Sequence, residues 1–188
     1  MNIFYLDSDI DTCAEMHCDK HVVKMVLEYA QLLSTAHRVL DGIEYIEIQN
    51  NRRVVRWRLS DLSMESMIYK ATHINHPSAV WVRSSIDHYN WLSGLLSQLL
   101  KEYTHRYNKI HKIESIGLND LLKVVPKNIS VLGWIDPPQA MPDDSKRSTS
   151  VEAYRNYYCH YKAAFAKWTK RSIPDWWVRL TDKRSGSG

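Results

Sequence analysis

Six polar residues, His17, His21, Lys24, Glu28, Gln31 and Thr35, follow one another at intervals of three and four. At about 100° per residue they share one helical stripe about 80° wide, opposite Val22, Val26, Tyr29, Ala30 and Leu33. Met25, Leu27, Leu32 and Ala36 fall on the flanks. An ordinary surface helix has the reverse proportions, a narrow apolar stripe under a broad polar face. The pattern therefore predicts a central helix buried on most sides, with one polar seam open. Buried charge is costly unless paired, so two histidines, a lysine and a glutamate in such a seam point to a site. Glu28 is the first candidate for a catalytic carboxylate, with His21 and Lys24 beside it. His17 and Gln31 are candidates for holding a substrate. The plainer alternative is a solvated face with Lys24 and Glu28 as an i, i+4 ion pair. In a third reading His17 and His21 share a metal with Glu28. Asp19 and Lys20 do not complete a catalytic-metal motif, and a site with neither metal nor cofactor is expected.

The elements that must position these residues are punctuated by caps and prolines. Residues 1–7 read as a short apolar arm or strand. Thr12 with Glu15 is a capping box, and the helix it opens should run to about Arg38 and end at Gly42. Residues 43–48 and 53–59 read as two strands turned by Asn50-Asn51, and residues 60–70 as a short helix or loop. Pro77, preceded by Asn75 and His76, should open a long helix reaching about Lys109. A short helix is expected near 115–124. Pro126, Pro137, Pro138 and Pro142 predict an irregular connection over 125–149. Thr149 and Glu152 form a second capping box for a last helix to about Arg171, with Pro174 beyond it. The expectation is an all-α, compact single-domain helical fold over 1–184 with a central helix and a small β-hairpin insertion. Ser185-Gly186-Ser187-Gly188 reads as an artificial tail.

His73, Asn75 and His76 cluster at a helix start, where backbone N–H groups suit phosphate, or else they cap it. Arg52, Arg53, Arg56 and Arg58 surround Trp57 on the hairpin, a mix that grips a backbone or stacks on a base, or lines a plain solvated edge. Arg83, Arg155, Lys162, Lys167, Lys170 and Arg171 are the candidates for phosphate contact.

At this point the sequence resembles the pyrimidine-dimer DNA glycosylase (endonuclease V-like) family of phages and bacteria. The arm Asn2-Ile3-Phe4-Tyr5-Leu6 precedes a central helix, and Glu28 follows His21 by seven residues, the family's spacing to its catalytic Glu. Asn75-His76-Pro77 followed by Trp81, and the aromatic Pro174-Asp175-Trp176-Trp177, are similar to further family segments, and Trp176 is a substrate-binding candidate on that ground. The resemblance spans about two thirds of the chain and leaves 43–70 and 125–149 as additions. It implies an all-helical enzyme whose terminal α-amine attacks C1′ of a damaged nucleotide and forms an imine, with a Glu assisting. An α-amine with a pKa near 8 is about a tenth free base at pH 7, far more than a lysine. The sequence departs from the family in having Asn at position 2, which normally leaves Met1 in place, and Leu27 just before the Glu. The nucleophile is then the amine of Met1 or that of Asn2, with Lys24 or Lys20 next.

Composition bounds the rest. Apolar residues make up 44% of 188, enough for a core, and no stretch is long and apolar enough to span a membrane. Three cysteines, an odd number, with no secretory signal point to free thiols in the cytoplasm, here of a bacterial host. The net charge of +4 is uneven: residues 146–184 carry ten Lys/Arg and three Asp/Glu, so the remainder is slightly acidic. That suggests a polyanion partner. The expectation is a monomeric DNA base-excision N-glycosylase, with or without AP-lyase activity, that flips a damaged or modified pyrimidine out of duplex DNA. The alternatives are a non-catalytic nucleic-acid-binding phage accessory protein and a metal-dependent enzyme on modified nucleotides.

Overall fold

A computed structural model describes residues 1–185, with side chains described through Leu180. It is mostly helical with one two-stranded antiparallel sheet among the described residues, as the sequence predicts. Gly186, Ser187 and Gly188 of the expected artificial tail lie outside the described residues.

The first predicted helix is two. α1 spans Ile10–Met16 and α2 spans Asp19–Asp41, with His17 and Cys18 extended between them. The cap of α1 is Asp9, whose side chain accepts from Thr12 N, so Thr12 lies inside the helix. Arg106 holds the break open. Its guanidinium donates to the carbonyls of Glu15 and His17, both at 2.9 Å, and pairs with Asp19 and Glu102. Those carbonyls end a helix without intrahelical donors, and the buried arginine supplies them.

α2 is the central helix. Its residues Val22, Met25, Val26, Tyr29, Ala30, Leu32, Leu33 and Ala36 are fully buried. It packs on α4 (Pro77–Ser84) and α5 (Ile86–Tyr107). These two were expected as one helix, but Ser85 is extended and caps α5 through Asp87 N. Pro77 does open α4, behind His76.

β1 (Ile43–Gln49) and β2 (Arg52–Arg58) form the expected hairpin, paired from Ile43↔Arg58 to Gln49↔Arg52. Asn50 and Asn51 both take positive φ, 50° and 60°, as a two-residue turn of this hand requires. Gly42 joins α2 to β1 where a Cβ would press on the Arg38 carbonyl and lie 2.9 Å from Trp57 Cβ. α3 (Leu62–Met67), α6 (Lys112–Ser115) and α7 (Leu118–Leu121) are short. Residues 125–149 are irregular apart from one 3-10 turn, as the prolines imply. The predicted last helix stops early: α8 spans Ser150–Tyr161, with both halves of its capping box made, and α9 (Asp175–Ser185) is a further helix beyond Pro174 that the sequence did not predict.

The arm is not a strand. Ile3, Phe4, Tyr5 and Leu6 are buried, at most 5% exposed. Phe4 stacks on His21 and meets Tyr154, Tyr157 and Tyr158 of α8, while Tyr5 meets Trp91 of α5. Burying a large apolar side chain is worth about 1.5–3 kcal/mol, and fixing one residue's backbone costs about 1–2 kcal/mol. The two nearly cancel, so the arm's hydrogen bonds decide whether it stays ordered. Phe4 N donates to the Tyr29 hydroxyl at 3.0 Å, and the Leu6 carbonyl accepts from Arg155 Nε at 2.8 Å.

Candidate functional site

The arm delivers the chain's first amine to α2. Met1 N lies 4.0 Å from Glu28 Oε2, and Lys24 Nζ lies 3.0 Å from Glu28 Oε1. The Glu28 side chain is 15% exposed. Met1 and Glu28 line a pocket of about 600 Å³ together with Gln31, Tyr69, Lys70, Thr72 and His73. A short buried chain aims the arm. His17 Nδ1 lies 2.7 Å from the Cys13 carbonyl, which can only accept, so this nitrogen carries the proton. His17 Nε2 then accepts from the Tyr29 hydroxyl at 3.0 Å, and that hydroxyl accepts from Phe4 N. Burial pushes the His17 imidazole down to about 4, which keeps it neutral in this role.

The far wall is built by Arg38, whose guanidinium is fully engaged. Nε donates to the Tyr69 carbonyl at 2.6 Å, and Nη1 to the Trp57 carbonyl at 3.0 Å and to Glu65 at 2.6 Å. Nη2 donates to the carbonyls of Glu65 and Ile68. One side chain thus binds α2 to the hairpin and to the stretch carrying Tyr69 and Lys70. Thr35 adds a second tie, accepting from Thr72 N at 3.2 Å. His73 has a left-handed backbone (φ 48°), and its Nδ1 lies 2.8 Å from Thr72 Oγ1. His76 Nδ1 accepts from Ser78 N, so a neutral His76 carries its proton on Nε2. Burial, the terminal ammonium and His73 lower its pKa, against an opposing pull from Glu28.

The seam therefore divides. Lys24, Glu28 and Gln31 lie on the open strip of α2, together with exposed Val23 and Leu27. His17 and His21 lie inside, at 0% and 4% exposure. The helix break turns His17 out of register. His21 stacks under Phe4 and is bonded to the Tyr158 hydroxyl, and burial lowers its pKa to about 2. Both nitrogens of His17 and Nδ1 of His21 are engaged elsewhere, and the two rings do not converge with Glu28 as metal ligands. Among the described residues no group of three or more His, Cys, Asp or Glu stands at metal-binding distance. Asn2 follows Met1 in the arm, and Asn75 is exposed between His73 and His76.

The basic candidates gather elsewhere. Arg155, Lys170, Arg171 and Trp176 line a second opening, of about 530 Å³, together with Arg179. Their polar groups are largely engaged: Arg155 with Asp7, Arg171 with Glu102 and Glu15, Lys170 with the His105 carbonyl and Asn108. Trp176 is buried, its Nε1 3.2 Å from Met16 Sδ. Lys162 lies over the Tyr157 ring, and Arg83 donates to the Ile74 carbonyl behind the His73–His76 turn. Lys167 is exposed.

Sequence reasoning missed Tyr69, Lys70, Thr72 and the role of Arg38. Arg38 carried a signal, since it falls one turn beyond Thr35 at the edge of the seam, about 60° from His17 on the wheel. The other three lie in a stretch without periodicity. Compared with known protein families, curated proteins and solved structures, the chain matches none.

Proposed function

We propose that this chain is a DNA N-glycosylase, with lyase activity, that attacks the sugar of a damaged or modified pyrimidine nucleotide with the amine of Met1. The observation that carries the reading is the Met1 amine 4.0 Å from Glu28 at the floor of an open pocket. A chain terminus is ordinarily free to sit in solvent. Here a buried arm and a buried His17–Tyr29 chain hold it against a carboxylate.

The amine, once it has given up a proton, attacks C1′. The bond from C1′ to the base breaks, and its electron pair leaves with the base, which then takes a proton. Ring opening leaves an imine between C1′ and the terminal nitrogen. Glu28 is placed to stabilise positive charge on the sugar and to accept protons from the amine. From the imine, loss of a proton at C2′ expels the 3′ phosphate, which is the lyase step. A pocket of about 600 Å³ suits a nucleotide taken out of the stack. We take Met1 rather than Asn2 as the nucleophile because removing Met1 would set the new amine back by one residue, about 3.8 Å.

The test is to add one residue ahead of Met1 and confirm by intact mass that it is retained. The proposal expects base release from irradiated or abasic duplex DNA, and adduct formation, to fall by 10²-fold or more. Unchanged activity would reject the terminal amine and turn attention to Lys24 and Lys20.

A further inference from the structure

Among the described side chains near the C-terminal end, Arg155, Lys170 and Arg171 are tied up by Asp7, Glu15, Glu102 and a backbone carbonyl, while Lys167 and Arg179 are exposed. A polyanion needs unpaired cations beside the pocket. The hairpin has them. Residues 43–58 carry four arginines against two glutamates. Arg56 is spent on Glu47 and Gln49. Arg52 and Arg53 are exposed at the tip with no partner among the described residues. Arg58 is exposed at the root and rests on the Tyr45 ring.

The hairpin is also rooted in the pocket wall. Arg38 bonds the Trp57 carbonyl of β2 and the Tyr69 carbonyl of the wall, and Glu47 of β1 pairs with Lys70 at 3.5 Å. From Arg58 to Arg52 the strand covers about 20 Å at about 3.3 Å per residue, or about six base-pair rises of 3.4 Å. One face carries exposed Ile46, Ile48 and Val55 with Arg53, and the other carries Arg52 and Arg58. A two-stranded ribbon of this width enters a major groove.

We infer that the β1–β2 hairpin is the duplex-DNA grip of the site. Arg58 at the root binds phosphate nearest the pocket, and Arg52 and Arg53 at the tip bind backbone phosphates about six base pairs further along the duplex. The inference rests on the proposed function for the identity of its ligand. Its test does not depend on catalysis.

Equilibrium binding to a short duplex carrying one abasic site is measured across a salt series for the full chain. The comparison is between Arg52→Ala/Arg53→Ala/Arg58→Ala and Lys167→Ala/Arg179→Ala. None of these side chains makes a described hydrogen bond, so both variants should fold, and circular dichroism checks it. The hairpin variant should flatten the log–log salt slope by about two to three units, at about 0.9 per lost contact, and the other pair should leave it nearly unchanged. An unchanged slope in the hairpin variant overturns the grip. So does a hairpin that instead joins two copies, seen as a dimer by sedimentation that Ile46→Ser/Ile48→Ser dissociates with DNA affinity intact. Borohydride trapping on an abasic single strand, read in parallel, reports on catalysis separately. A missing adduct with a hairpin-dependent slope sinks the glycosylase reading and leaves the grip standing.

Discussion

At the residue scale, the proposed chemistry turns on Glu28. It lies on the open strip of α2 with Lys24 on one oxygen and the Met1 amine facing the other. Glu28→Gln keeps the volume and the hydrogen bonding but removes the charge. Base release should fall by about 10²-fold or more, the scale of acid–base residues, with DNA binding and folding close to normal. If stability drops by several kcal/mol while activity persists, Glu28 is only an anchor for Lys24 and the arm. Tyr29 tests the aiming of the amine. Its hydroxyl serves both Phe4 N and His17 Nε2, so Tyr29→Phe leaves two buried groups unpaired and should cost about 1–3 kcal/mol in denaturant unfolding. A change under a few tenths would mean the arm is held by packing alone. The sequence put Glu28, Lys24 and Gln31 on one strip of a helix, where the structure has them, because the period of a long helix is a local property. It misplaced His17 because nothing local marks the break at Cys18. The break exists because Arg106, nearly ninety residues away, satisfies the freed carbonyls.

At the scale of elements, Arg38 is the organiser. It ties α2, the hairpin root and the Tyr69–Lys70 wall through hydrogen bonds that are buried or partly buried. Arg38→Met retains the packing of the stem and orphans several carbonyls and Glu65. A loss of about 3–5 kcal/mol is expected, the range for removing one partner of a buried ion pair, with faster amide exchange in β1 and β2. Exchange unchanged across the hairpin would show that it stands on its own turn. That turn was legible in the sequence, since adjacent asparagines tolerate the positive φ that a two-residue hairpin needs. The second capping box was legible for the same local reason. The interruptions at Ser85 and after Tyr161 were not, because apolar spacing runs on through both and only tertiary packing selects the break.

At the scale of the molecule, the polar interior makes stability depend on pH. Burial holds His17 down to about 4 and His21 down to about 2, against 6.5 for a free histidine. Between the folded and unfolded values the native chain binds fewer protons than the unfolded one. Stability is therefore full above about pH 6.5 and is lost as pH falls toward 4. The His17 contribution alone is on the order of 3 kcal/mol. The denaturant midpoint should drop between pH 7 and 4.5, and less steeply in His17→Gln; a midpoint that rises on acidification would contradict this. The buried arm brings the Met1 amine to Glu28 on the central helix, and the proposed chemistry rests on that meeting. The most direct test is borohydride reduction in the presence of abasic duplex DNA, followed by digestion and mass mapping of the covalent adduct. The account predicts an adduct on the α-nitrogen of Met1. An adduct on Lys24 or Lys20, or none at all, would contradict it.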